Sequence, residues 1–94
     1  MTGGERARLC IIVSGRVQGV FFRRTAAEQA RTLGIRGWAR NLDDGSVELV
    51  GEGKRRALEM LLAWAHKGPP HARVDTVQAL WEPYQGELPQ FRIR

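Results

Sequence analysis

Apolar side chains occupy five successive positions, residues 9–13, near the start of the chain. Because successive side chains of a strand point to opposite faces, this run predicts a strand over residues 8–14 that is buried on both faces, inside a sheet. A glycine-containing loop over residues 15–20 follows. Beyond it, apolar residues recur at helical spacing and predict an amphipathic helix over residues 22–33, which Gly34 is suited to end.

The second half of the chain alternates in the same way between strand-like and helix-like patterns. The turn Asp43-Asp44-Gly45 predicts a hairpin, and Glu48 and Glu52 alternate with apolar residues, so one face of this hairpin is expected to be solvated. The sequence Gly68-Pro69-Pro70 ends the second helix. After the first helix the predicted elements are strands over residues 35–42 and 46–51, a helix over 54–66, and strands over 74–81 and 91–94.

The order of these elements, βαββαβ with one further terminal strand, predicts an α+β protein with a ferredoxin-like α/β sandwich. In that arrangement an antiparallel sheet of four to five strands carries two helices on one face. The 94 residues are enough for one such core and too few for two. Residues 1–7 are mostly polar and contain two glycines, which predicts a flexible N-terminal tail, and residues 8–94 form the domain.

Charge adds to this picture, because the chain is basic. It carries a formal net charge of +5, and thirteen of its fifteen basic residues are arginine. Such a balance favours anionic partners: phosphorylated metabolites, nucleic acid or acidic proteins. The single cysteine, Cys10, excludes an internal disulfide and a cysteine-based zinc site. We expect no metal, no cofactor and no membrane segment, a cytoplasmic location and a monomer.

The loop over residues 15–20 is the strongest candidate for a binding site. Gly15 and Gly19 let main-chain N–H groups converge, and the start of the following helix adds free donors and positive potential. Arg16 and Arg23 stand at the two ends, and their guanidinium groups are suited to phosphate or carboxylate. These features predict an anion cradle between the first strand and the first helix.

Two longer motifs make this interpretation more specific. The first is Gly15-Arg16-Val17-Gln18-Gly19-Val20, one variable position and then Phe22-Arg23; the second is Gly37-Trp38-Ala39-Arg40-Asn41. Both match signatures of the acylphosphatase family, at the spacing that the family shows. The resemblance extends from Arg8 to Arg94, and the chain is therefore similar to acylphosphatases over nearly its whole length.

The resemblance implies hydrolysis of a small-molecule acyl phosphate to a carboxylate and inorganic phosphate, without nucleic acid or a membrane. It implies that Arg23 and Asn41 are catalytic, with Asn41 positioning the attacking water, and that Arg16 is an accessory. The family often has a hydroxyl residue after this asparagine, whereas Leu42 stands here, so support for Asn41 must come from elsewhere. The implied phosphate-binding residues are Gly15, Arg16, Val17, Gln18, Gly19, Val20 and Arg23.

Elementary chemistry agrees with that reaction. Phosphoryl transfer needs mainly positioning and stabilisation of charge on the phosphoryl oxygens, which amides and one guanidinium supply. The leaving group is a carboxylate with a pKa of about 4, so no general acid is needed. Asn41 orients water but is not a base at neutral pH, and we expect a phosphate oxygen of the substrate to take the proton.

Two other interpretations stay open at this point. Cys10 and Arg16 have the Cys-x5-Arg spacing of cysteine-dependent phosphatases, although the residues between them are typical of a strand and Cys10 is expected to be buried. A ferredoxin-like module without enzymatic activity would instead use the cradle to bind an anion, nucleic acid included.

Overall fold

The computed structural model describes residues 4–94, which form two helices and five strands. Within these residues, neither helix is long and apolar enough to cross a membrane. Observed boundaries mostly lie within one or two residues of the predicted ones. The elements in chain order are β1 (Arg6–Arg16), α1 (Phe22–Thr32), β2 (Arg36–Asn41), β3 (Val47–Lys54), α2 (Arg55–Lys67), β4 (Arg73–Glu82) and β5 (Arg92–Ile93).

The five strands form one sheet in the order β4-β1-β3-β2-β5. β1 pairs antiparallel with β3 and β4, and β2 pairs antiparallel with β3. The short β5 lies parallel to β2, with Trp38 opposite Arg92 and Ala39 opposite Ile93. Two helices pack on this mostly antiparallel sheet, so the predicted α+β ferredoxin-like fold is confirmed.

The core lies between the sheet and the helices. Alternate residues of β1, namely Leu9, Ile11 and Val13, are buried on the covered face, as the alternation of side chains along a strand requires. Three alanines on the buried face of α1 let this helix come close to the sheet. The remaining buried helix residues are Phe22 of α1 and Leu58, Leu61 and Ala65 of α2.

β1 is longer than predicted at both ends. It begins at Arg6, so the last residues of the predicted tail belong to the strand; residues 1–3 of that tail lie outside the described residues. It ends at Arg16 rather than residue 14, because the pairing with β4 continues past a register shift between Ser14 and Gly15. At this bulge Gly15 has φ +130°, and a Cβ atom would overlap the main-chain oxygen of Arg73. Gly15 therefore permits the close approach of β1 to β4.

The expectation of a solvated hairpin face is wrong for Glu52, which is only 2% exposed. The segment after β4 covers this side chain, and the N–H groups of Gln85 and Gly86 donate hydrogen bonds to its carboxylate at 2.6 and 3.1 Å. The guanidinium of Arg8 lies 3.8 Å from the same carboxylate. Because a buried carboxylate needs such partners, Glu52 fixes the place where the connection from β4 to β5 crosses the sheet.

Gly37, the first residue of the second motif, lies in β2 and allows the close approach of β2 to β3. Its φ is +146° and a Cβ atom would overlap the main-chain oxygen of Val50 on β3, while its N–H donates to Pro89 at 2.9 Å. We expect Gly37→Ala to lower the free energy of unfolding by about 3 kcal/mol or more, measured by urea denaturation.

Gly45→Ala is the matched control for this prediction. Gly45 also has a positive φ, +93°, but no atom lies within 4 Å of its Cβ position. Only the conformational cost of about 1 kcal/mol applies there. Equal losses in the two variants would show that the close approach to Val50 does not matter for stability.

Candidate active site

The segment from Val17 to Phe21 joins β1 to α1 and carries a row of free donors. Within residues 4–94, none of the main-chain N–H groups from Gln18 to Arg24 donates a hydrogen bond. The last of these groups belong to the first turn of α1, whose N–H groups have no intrahelical acceptor. The segment therefore offers unpaired N–H donors and the positive end of a helix to an anion.

The conformation of Phe21 turns the chain into the helix and leaves the donors open. Phe21 is the N-cap residue of α1 in the left-handed region, with φ 64° and ψ 26°, and its side chain makes no capping hydrogen bond. Its main-chain oxygen accepts hydrogen bonds from the N–H of Thr25 at 3.0 Å and from the hydroxyl of Thr25 at 2.9 Å. A Ser, Thr, Asp or Asn at the N-cap would have occupied one of the free N–H groups.

The charge around this helix start is positive and uncompensated. The first turn of α1 holds Arg23 and Arg24 and no acidic residue, although cations are unfavourable at this end of a helix. Within residues 4–94, no salt bridge involves Arg16, Arg23 or Arg24. The Arg23 Nη1 atom donates to the main-chain oxygen of Arg94 at 3.0 Å, and this contact holds the guanidinium beside β5.

Asn41 is the last residue of β2 and lies next to a rigid turn. In the described part of the chain its side chain makes no hydrogen bond, so its amide is open to solvent. The N–H and hydroxyl of Ser46 both donate to the Asp44 carboxylate, at 2.9 and 2.5 Å. These hydrogen bonds lower the pKa of Asp44 below its ordinary value, so they persist at neutral pH and weaken only as the pH falls through that lowered pKa.

Gln18 connects the donor segment to this turn. Its Nε2 atom donates to the main-chain oxygens of Leu42 at 2.9 Å and Ser46 at 3.0 Å. Leu42 itself donates its N–H to the same oxygen of Ser46 at 2.8 Å. Gln18 thus ties the loop to the main chain that follows Asn41. Within the described residues no hydrogen bond orients the Asn41 side chain itself, so the structure does not show the support that was expected from elsewhere.

One cavity of about 270 Å³ brings these parts together. Of the sequence-predicted site residues, Val17, Gly19, Arg23 and Asn41 line it. Gly15 and Arg16 are paired with β4 instead. Gln18 and Val20 do not line the cavity, but their main-chain N–H groups belong to the unpaired donors described above. The complete lining is Val17, Gly19, Phe21, Phe22, Arg23, Arg24, Asn41 and Ile93.

The cavity also contains residues that sequence reasoning did not single out. Phe21 occupies the variable position of the first motif, and Arg24 follows the motif directly. Both are neighbours of motif residues in the chain, so a prediction that included the flanking positions would have found them. Ile93 reaches the cavity only because β5 lies parallel to β2, and no local pattern indicates that pairing.

Comparisons with known proteins agree with this arrangement. A family model described as Acylphosphatase matches residues 9–93. The chain belongs to the acylphosphatase family. It is 53% identical over 90 residues to an acylphosphatase of Anaeromyxobacter dehalogenans, with 96% of this chain and 97% of that protein covered. The family resemblance that the two motifs indicated is thereby confirmed.

Solved structures of this family share the fold. An acylphosphatase from Coxiella burnetii superposes with a TM-score of 0.87 at 39% identity, covering 95% of this chain and 93% of that one. The acylphosphatase from Bacillus subtilis superposes with a TM-score of 0.90 at 33% identity, covering 94% and 98%.

Cys10 lies far from the cavity that Arg23 and Asn41 line. It stands opposite Val50 and Leu80 within the sheet, and six residues of extended chain place it about 20 Å from Arg16 along β1. Burial, followed by the negative charges of Glu48 and Glu82, raises the pKa of the Cys10 thiol. A phosphatase thiolate needs a lowered pKa and a surrounding loop, and Cys10 has neither.

The raised pKa predicts a slow thiol whose reactivity increases with pH. At pH 7.5 the native protein should react with iodoacetamide at least about tenfold more slowly than free cysteine, and the rate should still rise above about pH 9.5, where the rate for free cysteine has levelled off. The protein unfolded in urea, which should react as free cysteine does, is the control. A plateau of the native rate below pH 8 would restore the thiolate interpretation.

Proposed function

We propose that this protein hydrolyses the carboxyl–phosphate bond of small-molecule acyl phosphates by attack of an oriented water. The observation that carries the proposal is the single cavity lined by Arg23, Asn41 and the loop before α1. A group that binds a phosphoryl oxygen and a group that binds water thus open into one space. Proximity of this kind contributes most of what phosphoryl transfer requires.

The phosphoryl group is held by main-chain donors and one guanidinium. The N–H groups from Gln18 to Arg24 are free to donate, and Arg23 adds a planar cation at the positive end of α1. An anion between the helix end and Arg23 relieves the repulsion that an empty site imposes on the arginine. The same donors stabilise the charge on the equatorial oxygens in the transition state.

Water attack proceeds without a protein acid or base. The amide of Asn41 holds the water in line with phosphorus; a water oxygen–phosphorus bond forms as the bond from phosphorus to the carboxyl oxygen breaks. The carboxylate leaves as an anion because its pKa is about 4. A phosphate oxygen of the substrate takes the water proton, since within the described residues no His, Asp, Glu, Cys or Lys lines the cavity.

The products are a carboxylate and inorganic phosphate. We propose that the protein acts as a monomer in the cytoplasm and that Gly15 and Arg16 assist phosphate binding from the end of β1. Arg16 is exposed and without a salt bridge in the described residues, so it attracts the substrate at longer range.

Turnover of benzoyl phosphate with excess chelator tests the proposal. Purified protein should hydrolyse benzoyl phosphate well above the buffer rate, with activity reaching a plateau above the second pKa of the substrate and no ionisation of the enzyme below it. Absence of turnover would overturn the enzymatic function, and loss with chelator would overturn the mechanism. Absence of turnover with a salt-dependent gel shift of nucleic acid would favour the binding module instead.

Arg23→Ala should lower kcat/KM by at least about a thousandfold, because in the proposed site its guanidinium stabilises the charge on the phosphoryl oxygens. Arg23→Lys should recover little of this loss, since an ammonium cannot reproduce the planar fork. Steady-state kinetics with benzoyl phosphate measure both effects. Arg56→Ala removes an exposed charge from α2 and serves as the control; an equal loss there would point to net charge rather than to Arg23.

Asn41→Ala should lower kcat about a hundredfold and change KM by less than about threefold, because water is positioned in the transition state while the phosphoryl group is bound elsewhere. Asp43→Ala, in the same turn and outside the cavity, is the matched control. A variant with a raised KM and normal kcat would assign Asn41 to substrate binding and contradict the water-positioning role.

A further inference from the structure

The fold does not explain why position 21 is a phenylalanine. Among residues 4–94, Phe21 is the only residue other than glycine with a positive φ, in a region that costs a bulky L-residue conformational energy. Its side chain is 68% exposed, the highest value among the exposed large hydrophobic residues of the structure. The core therefore gains little from this ring, although the chain bears the strain of placing it there.

The main-chain role of Phe21 does not require an aromatic ring either. Its oxygen accepts hydrogen bonds from the N–H and hydroxyl of Thr25, and any residue supplies that oxygen. Glycine or asparagine would adopt the left-handed conformation at lower cost. An exposed, strained aromatic side chain at the rim of an active site indicates a contact with the ligand.

The lining of the cavity contains both polar and apolar groups. Gly19, Arg23 and Asn41 contribute N–H groups, a guanidinium and an amide, whereas Phe21 and Ile93 contribute exposed apolar surface. Ile93 is 44% exposed and comes from β5, at the other end of the chain. When the phosphoryl group occupies the polar donors, one bridging oxygen separates it from the acyl carbon. The exposed apolar side chains of the lining that are available to the acyl group are those of Phe21 and Ile93.

We propose that Phe21, together with Ile93, binds the acyl group and selects acyl phosphates with a flat, apolar acyl group over those with a small one such as acetyl. An aromatic acyl group would pack on the Phe21 ring and cover its exposed face. This inference rests on the proposed hydrolysis of acyl phosphates and names the substrate class of the same cavity. Phe21 acts as a specificity-determining residue, and no bond to it is made or broken.

The test compares benzoyl phosphate with acetyl phosphate in the wild-type protein and in Phe21→Gly, because glycine adopts the left-handed conformation readily and has no side chain that could cap the free N–H groups. We expect the ratio of kcat/KM for benzoyl phosphate to that for acetyl phosphate to fall about tenfold in Phe21→Gly. Phe21→Tyr should retain the wild-type ratio. Competitive inhibition by inorganic phosphate should be the same in all three proteins, since the phosphoryl donors are main-chain groups and Arg23.

Met60→Ala is the control, because Met60 is 54% exposed on α2, outside the cavity, and the change likewise removes an exposed apolar side chain. It should leave the ratio unchanged. A wild-type ratio in Phe21→Gly, or an equal loss for both substrates, would overturn the inference and leave the proposed hydrolysis intact. Absence of turnover of either substrate by the wild-type protein would overturn the proposed function itself, and the inference with it.

Discussion

The active-site architecture depends on the side-chain amide of Gln18. Its Nε2 atom donates to the oxygens of Leu42 and Ser46, which are 24 and 28 residues away along the chain. These two hydrogen bonds join the donor loop after β1 to the turn after β2. They hold the loop that we propose binds phosphate against the turn beside Asn41, which we propose positions the water. A misplacement of about 1 Å between such groups costs a large part of the rate, so this connection is part of the chemistry.

The start of α1 combines unpaired N–H groups with two arginines, and this arrangement is unfavourable for the helix in the absence of an anion. α1 begins with Phe21, Phe22, Arg23 and Arg24, without a capping side chain or an acidic residue in its first turn. Both features weaken a helix by about 1 kcal/mol each. A phosphoryl group bound as proposed would accept from the free N–H groups and face the arginines, and it would offset both costs. Substrate affinity would then be linked to the stability of α1.

Local patterns predicted the elements and the motif residues, whereas contacts between distant segments were not predictable from them. The continuous apolar run over residues 9–13 placed β1 correctly inside the sheet, with Leu9, Ile11 and Val13 fully buried. The expected burial of the opposite face is only partly met, because Cys10 and Ile12 on that face are half-buried. The burial of Glu52 was missed, since it depends on a loop 33 residues later that donates N–H groups to it. In the site, Arg23 and Asn41 stood in recognisable motifs, but Ile93 joins them only through the parallel pairing of β5 with β2. The hydrogen bonds of Gln18 were not predictable either, because their acceptors lie 24 and 28 residues away in the chain.

The small size of the site follows from the chemistry of an acyl phosphate. A carboxylate is stable as a leaving anion, so the protein needs no buried acid with a raised pKa. In the proposed mechanism, main-chain N–H groups and Arg23 stabilise the oxygens, and they come from one loop and the first turn of a helix. The remaining task is to distinguish one acyl group from another, and the polar donors cannot do it because every acyl phosphate presents the same phosphoryl group. In the proposed site, discrimination would therefore come from the apolar side chains that line the cavity, among which the ring of Phe21 has the largest exposed fraction.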